Sequence, residues 1–194
     1  MKKLVIAVLC LSLLLTGCGG KRMAADEIRR QYGLIDRAQM EAEVTFHSSG
    51  EERCFTLQCN YGPQESTITV TAPETVAGVC ATLSGEDMTL TYDGESLSVG
   101  ELGGVNPISA LPRMLHFLTE GYLLSEGRES LEGIPCYRLE LEDTFGGETA
   151  VCTVWIEEET LLPRYGEFAV DGETVVSVKM LAFSCTLQEE TTEE

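Results

Sequence analysis

Basic residues are scarce in this chain of 194 residues, which has 13 lysines and arginines against 32 aspartates and glutamates and a formal net charge of −19. Proteins that bind nucleic acid need a basic patch that displaces counterions from the phosphates. An acidic surface is also repelled by anionic lipid head groups. The composition therefore excludes nucleic acid as an expected partner, and it predicts that the folded part does not lie flat on a membrane.

Spacings typical of catalysis or metal binding are also lacking. The two histidines, His47 and His116, are far apart in sequence. Cys54 and Cys59 are separated by four residues and fall on alternate faces of one predicted strand, which does not suit a shared zinc ion. Ser96 lies in a predicted hairpin and lacks the second glycine of a nucleophile elbow. We therefore expect no enzyme activity, no catalytic residue, no metal site and no cofactor.

The N-terminus is typical of an exported protein. Lys2 and Lys3 precede an apolar run over Leu4–Leu15, which is shorter than the about 20 residues that a membrane-spanning helix needs. Residues 15–18, Leu-Thr-Gly-Cys, resemble the lipobox of bacterial lipoproteins. In that family the signal peptide is removed just before the cysteine, and diacylglycerol is joined to its thiol. The resemblance implies that Cys18 anchors the protein to a bacterial membrane on its extracytoplasmic side, because two acyl chains hold a protein stably at a bilayer.

The chain is predicted to contain one domain. We expect a signal peptide over residues 1–17, a lipidated tether over 18–23, a folded domain over 24–187 and an acidic tail over 188–194. A domain of about 175 residues buries roughly 70% of the surface that its unfolded chain exposes. In an exported protein the remaining cysteines either form disulfides or stay as buried thiols, and they are Cys54, Cys59, Cys80, Cys136, Cys152 and Cys185.

The hydrophobic pattern predicts two helices among antiparallel strands. A first helix is predicted from Ala24 to about Asp36, and a second begins at Asn106-Pro107 and continues to Leu118. Between them apolar and polar residues alternate, which predicts about six strands with one apolar and one wet face. About four more strands are predicted after the second helix, over Cys136–Glu142, Ala150–Glu157, Tyr165–Val170 and Val175–Thr186.

A family resemblance lies near the C-terminus. Residues 154–163, Val-Trp-Ile-Glu-Glu-Glu-Thr-Leu-Leu-Pro, are followed by Gly166-Glu167-Phe168 and by the turn Asp171-Gly172. This stretch resembles the last hairpins of the LolA/LolB-like lipoprotein-carrier superfamily, in which an aromatic-Ile-acid strand, a Leu-Pro turn and a strand ending in Asp-Gly recur in similar order. With the helices and strands above, the resemblance covers most of residues 24–186. A lipidated chain is more similar to the membrane-bound acceptors and to the Gram-positive or spore-associated lipoproteins of this superfamily than to its soluble carrier.

The resemblance implies an α+β fold, an open half-barrel of about ten antiparallel strands wrapped over the N-terminal and central helices. It also implies an apolar concavity that can hold acyl chains. Strand parity and the apolar stripe of the central helix supply the candidate wall residues, although a filled core satisfies the same pattern. These candidates are Phe46, Leu57, Val70, Leu90, Met114, Phe117 and Trp155.

Two functions remain open from the sequence. The first is a membrane-anchored, non-catalytic lipoprotein that binds a lipid or another acyl chain in the concavity. The second is an envelope or spore-cortex adaptor of the same fold, which has a filled core and recruits a protein through its sheet edge or outer face. The volume of the concavity separates them, since ligand pockets measure about 300–1,000 Å³.

Overall fold

The computed structural model of the chain describes residues 25–48, 50–85, 87–101 and 103–188. The predicted signal peptide, Cys18 and the tether lie outside these residues, as does the acidic tail from residue 189 onwards. The predictions made for those segments therefore stay predictions.

The described residues form two α-helices, one short 3-10 helix and eleven strands. The helices are α1 (Ala25–Gly33), the 3-10 helix (Pro107–Ser109) and α2 (Ala110–Glu120). The strands of the first block are β1 (Ile35–Ser48), β2 (Glu51–Tyr61), β3 (Ser66–Ala72), β4 (Cys80–Ser84), β5 (Asp87–Tyr92) and β6 (Glu95–Glu101). Those of the second block are β7 (Tyr122–Leu131), β8 (Ile134–Phe145), β9 (Glu148–Glu157), β10 (Pro163–Val170) and β11 (Glu173–Leu187).

All eleven strands belong to one open antiparallel sheet, in the order β6-β5-β4-β3-β2-β1-β11-β10-β9-β8-β7. Strands β1 and β11 pair in the middle and join the two blocks of the chain. The predicted half-barrel is thus confirmed as an open sheet with helices, but its strand count was one too low. Strand β7 was missed because nearly all of it is exposed on both faces, so its sequence shows little alternation.

The first helix is shorter than predicted. It ends at Gly33, and Ile35 already begins β1. Glycine is a weak helix former, and the carbonyl oxygen of Leu34 accepts a sheet-like hydrogen bond from the Gln188 amide at 2.8 Å. Ile35 falls within the predicted helix, but the structure buries it as a strand residue.

The sheet curves around α2. This helix contacts β1, β2, β8, β9 and β11. In a flat sheet β2 and β8 would be five strand spacings, or about 24 Å, apart, whereas a helix of 11 residues is about 16 Å long. One helix reaches both strands because the sheet bends toward it, which gives a concave face that both helices cover.

The core lies between the concave face and the helices. Pro112 sits in the first turn of α2, where its missing N–H leaves no hydrogen bond unmade. Helix α2 buries almost its whole length, and α1 adds Ile28 and Tyr32. The strands contribute alternate apolar residues, among them Ala42, Val44, Ile68, Leu139, Leu141, Val154, Ile156, Phe168, Val176 and Val178.

An arginine of α1 connects this helix to the C-terminal end of α2. Arg29 of α1 donates hydrogen bonds to the carbonyl oxygens of Leu118, Thr119 and Gly121, at 3.1, 3.0 and 2.7 Å. The last carbonyls of a helix have no partner within the helix and carry partial negative charge. The guanidinium therefore caps α2 and fixes its position relative to α1.

Candidate functional site

Six of the seven candidate wall residues lie on the concave side of the sheet. Leu57, Val70, Met114 and Phe117 are at most 5% exposed and belong to the continuous core. Phe46 and Leu90 are partly buried and pack against that core. The hydrophobic pattern of the sequence therefore predicted the correct face at these six positions. The structure, however, buries four of the six side chains within the core.

Trp155 was assigned to the wrong face. Its neighbours Val154 and Ile156 are fully buried, so the alternation of β9 directs Trp155 to the outside of the sheet. There the indole Nε1 donates to a Glu129 carboxylate oxygen at 3.0 Å, and the ring centroid lies 5.5 Å from that of Tyr165. The two aliphatic neighbours were the signal that could have placed Trp155 correctly.

The space beneath α2 is filled. The Phe117 ring lies 5.4 Å from that of Phe145 and 5.7 Å from that of Phe168 between centroids. At Gly166 of β10 the helix approaches the sheet so closely that an added Cβ would lie 2.9 Å from the Met114 sulfur. Aromatic rings packed at these distances and a glycine at the closest approach are features of a core without room for a ligand.

A small apolar pocket remains beside the 3-10 helix. It measures about 240 Å³ and is lined by Phe55, Leu57, Val70, Asn106, Pro107 and Ile108. The Asn106 side chain stabilises the edge of this pocket, because its Oδ1 accepts a hydrogen bond from the Ser109 amide at 3.0 Å and caps the 3-10 helix. This volume lies below the about 300–1,000 Å³ that is typical of small-molecule pockets.

A larger cleft of about 350 Å³ lies where the first turns of α2 meet the end of β8 and the β2–β3 turn. Arg113 is 6% exposed, and its guanidinium carbon lies 3.9 Å from the centre of the Phe145 ring. The Arg113 Nε donates to the Ser109 hydroxyl at 3.1 Å, while His116 Nε2 lies 3.0 Å from an Asp143 carboxylate oxygen. These polar groups bind one another and so stabilise the junction between α2 and β8.

The cleft was not predicted as a unit from the sequence. Arg113 and His116 interrupt the apolar stripe of α2, which is the only signal the sequence offers. Their partners Asp143 and Phe145 lie about thirty positions further along the chain, and only the curvature of the sheet brings the two segments together.

The six cysteines of the described residues are all free thiols. Burial raises the pKa of the Cys59 thiol from 9.0 to about 12, and it raises the pKa of Cys152 well above its ordinary value. Only the thiolate is a strong nucleophile or metal ligand. These two thiols therefore stay protonated at neutral pH and act as small apolar core residues. Cys54 is exposed whereas Cys59 is buried, so they face opposite sides of β2 as predicted.

Two features are absent from the part of the chain that the structure describes. No group of three or more histidine, cysteine, aspartate or glutamate side chains in it is arranged to hold a metal ion. None of its helices has the length and apolar character needed to cross a bilayer.

Comparison with known proteins shows that this chain is similar to other proteins in fold only. A scan against protein-family models and a search of curated proteins gave no match. Among solved structures, an uncharacterized conserved protein from Thermus thermophilus is 13% identical, with a TM-score of 0.50 over 87% of this chain and 91% of that chain. The LolA superfamily protein NE2245 from Nitrosomonas europaea is 14% identical, with a TM-score of 0.45 over 85% of this chain and 94% of that chain.

A third similar structure is the complex of the CwlD amidase from Clostridioides difficile with the GerS lipoprotein. The matched chain is 16% identical, with a TM-score of 0.39 over 84% of this chain and 98% of that chain. The present chain is similar in fold to the Thermus thermophilus protein, and its open antiparallel sheet with helices agrees with the fold that the sequence resemblance implied.

Proposed function

We propose that this protein is a lipid-anchored, extracytoplasmic adaptor without catalytic activity, which binds a protein partner through its outside while its interior stays filled. The observation that carries the proposal is the burial of Leu57, Val70, Met114 and Phe117 in one core beneath α2. These four side chains, which would line a carrier's cavity, belong to one continuous buried core, and only Leu57 and Val70 among them also border the small pocket beside the 3-10 helix.

The anchor rests on the sequence of residues 15–18. Fractionation of bacteria that produce the full chain or its Cys18→Ser variant tests it. We expect the parent protein in the membrane fraction and the variant in the soluble extracytoplasmic or medium fraction, because two acyl chains are needed for stable attachment. Equal release of both proteins would contradict lipid anchoring at Cys18.

A second function, binding of an acyl chain, is favoured by one observation. The pocket beside the 3-10 helix is lined by apolar side chains, including Leu57, Val70 and Ile108. Burial of methylene groups in such a pocket would supply binding free energy without any chemistry.

Titration with a fluorescent fatty acid separates the two functions. We expect no saturable binding to residues 19–194 prepared without lipid, and native mass spectrometry should show no retained lipid. The Ile108→Trp variant would fill the pocket, and Leu181→Trp is its matched control, because Leu181 lies on β11 and is 50% exposed. Saturable binding that Ile108→Trp abolishes and Leu181→Trp preserves would establish the lipid-binding function instead.

The adaptor function requires a partner. Chemical crosslinking in intact cells, followed by purification from membranes, should yield one protein in a constant ratio to this chain. Purification of this chain alone, with no crosslinked protein in a constant ratio, would contradict the adaptor function.

A further inference from the structure

One wing of the sheet has no positive charge of its own. Residues 54–112, which we call the acidic wing, contain seven acidic residues and no lysine, arginine or histidine. This stretch supplies most of β2 and all of β3, β4, β5 and β6. In contrast, β7–β11 include Arg128, Arg138, Arg164 and Lys179, and the three arginines form ion pairs with glutamates.

The end of the acidic wing also exposes apolar side chains. Tyr92, Leu97 and Val99 are 56, 65 and 44% exposed. Leu97 lies directly opposite Leu90, which lies opposite the buried Ala81, so Leu97 faces the concave side of the sheet. Among the strands of the described residues, α2 contacts β1, β2, β8, β9 and β11, and Leu97 on the last strand is 65% exposed and so accessible to a partner.

Strand β6 is a free edge of the sheet. In the described residues it pairs with β5 alone, so its outer N–H and C=O groups face no other strand. The opposite edge strand, β7, carries side chains that are bound to other parts of the chain: Glu126 accepts a hydrogen bond from the Ala25 amide at 2.8 Å, and Arg128 pairs with Glu158 at 3.2 Å. Lysine and proline protect edge strands from pairing, and residues 95–101 contain neither. A bulge between Ser98 and Gly100 limits the regularly paired part of this edge to residues 95–98.

We propose that the β6 edge binds an extended, basic segment of a partner protein, which adds to the sheet as a further strand. Backbone hydrogen bonds would attach the segment to β6, its apolar side chains would contact Leu97 and Val99, and its lysines or arginines would lie near the acidic residues of the wing. The negative charge of the acidic wing favours a basic segment over the other possible occupants. A second copy would bring two acidic wings together without a cation, and an anionic lipid surface would be repelled. The proposal rests on the adaptor function and names its binding site and partner chemistry.

A peptide of alternating lysine and valine, about nine residues long and so slightly longer than β6, is a suitable probe. Its binding to the mature full chain in a neutral detergent is measured by fluorescence anisotropy, beside a peptide of alternating glutamate and valine. The test variant is Leu97→Lys, and the matched control is Leu124→Lys, which alters an exposed leucine on the opposite edge strand. Circular dichroism confirms that both variants are folded.

We expect the lysine-valine peptide to bind and the glutamate-valine peptide not to bind. Leu97→Lys should weaken binding at least about tenfold, while Leu124→Lys should stay within about twofold of the parent. Hydrogen exchange of the backbone amides in residues 95–101 should slow when the peptide is bound, since strand addition forms hydrogen bonds there.

Several results would overturn the proposal. These are no binding of the lysine-valine peptide, equal binding of both peptides, equal weakening by both variants, or slowed exchange elsewhere but not in β6. Self-association that Leu97→Lys abolishes would show that the occupant is a second copy of the chain.

Failure of this site is distinguishable from failure of the adaptor function. If the Leu97→Lys protein still crosslinks to its partner in membranes, the adaptor function stands and the β6 site is wrong. If no partner is found and the fatty acid binds, the adaptor function itself fails, whatever the peptides do.

Discussion

Arg29 shows how much of this fold depends on one side chain. Its guanidinium binds three carbonyl oxygens at the end of α2, and α2 in turn fills the concave face. We expect Arg29→Ala to lower the free energy of unfolding by about 2–3 kcal/mol, because a charged donor is lost and the carbonyls are left half-buried without it. Urea denaturation measures the change.

Arg30→Ala is the control for this substitution, since Arg30 pairs with the exposed Glu27 on the surface of the same helix. Surface ion pairs contribute little, so its urea midpoint should match the parent. Equal loss in both variants would show that a cause common to both arginines, and not the cap on α2, is responsible.

The thiols should differ sharply in reactivity. Iodoacetamide at about pH 8, a pH near the ordinary cysteine pKa, should alkylate Cys54, which is exposed, and leave Cys59 and Cys152 unmodified in the folded protein. Both buried thiols should react once urea unfolds the chain. Mass spectrometry of peptides locates the label, and early labelling of Cys152 would contradict the packing beneath α2.

Stability should also fall at alkaline pH. The pKa of Cys59 is 9.0 ordinarily and about 12 in the folded state, so the folded protein holds this proton more tightly than the unfolded chain does. The resulting stabilisation is complete below pH 9 and is lost as the pH rises toward 12. We expect the free energy of unfolding to decline less steeply over this range in Cys59→Val than in the parent. Parallel declines would contradict the raised pKa.

At the scale of helices and strands, the segment that leads into α2 depends on one capping side chain. Asn106 Oδ1 binds the Ser109 amide at 3.0 Å and starts the 3-10 helix that borders the apolar pocket. We expect Asn106→Ala to reduce stability by about 1 kcal/mol, the usual contribution of such a cap. Asn60→Ala, an exposed change on β2, is the control for thermal unfolding. A parent-like midpoint in Asn106→Ala would show that the helix start is held by packing alone.

The elements that the sequence predicted best are those with one buried face. Every second residue is buried over residues 38–44 of β1, 57–59 of β2 and 66–70 of β3, because the core selects one face of each strand. Strand β7 lacks that selection and was missed, although its hydrogen bonds to β8 make it part of the sheet. Trp155 was misplaced because the inward face of β9 was inferred from parity alone, which does not say whether Trp155 or its neighbours Val154 and Ile156 face the core.

Contacts between distant segments could not be read from the sequence. The stacking of Arg113 on Phe145 and the hydrogen bond of His116 to Asp143 depend on how far the sheet bends. Periodicity predicts which face of an element is apolar, but it does not predict the curvature that decides whether the concavity is filled. The distinction between adaptor and carrier therefore required the packing beneath α2.

Across the whole molecule, cations are distributed unevenly along the sheet. The acidic wing has seven acidic residues and no cation of its own, whereas Glu43 in the middle of the sheet lies directly opposite Lys179. Repulsion between unpaired acidic side chains destabilises a compact state, and salt screens it. Stability should therefore depend on salt, and the acidic wing should contribute to this dependence.

We expect the thermal unfolding midpoint to rise when the salt concentration increases from about 0.01 M to about 0.15 M, which shortens the Debye length from about 30 Å to about 8 Å. Glu95→Gln, on β6, should make this rise smaller, because it removes one of the repelling charges. Glu43→Gln should not make it smaller, since that carboxylate has Lys179 as a neighbour. Equal effects of the two substitutions would mean that repulsion is spread over the whole sheet, and the charge argument for a basic partner at β6 would lose its basis.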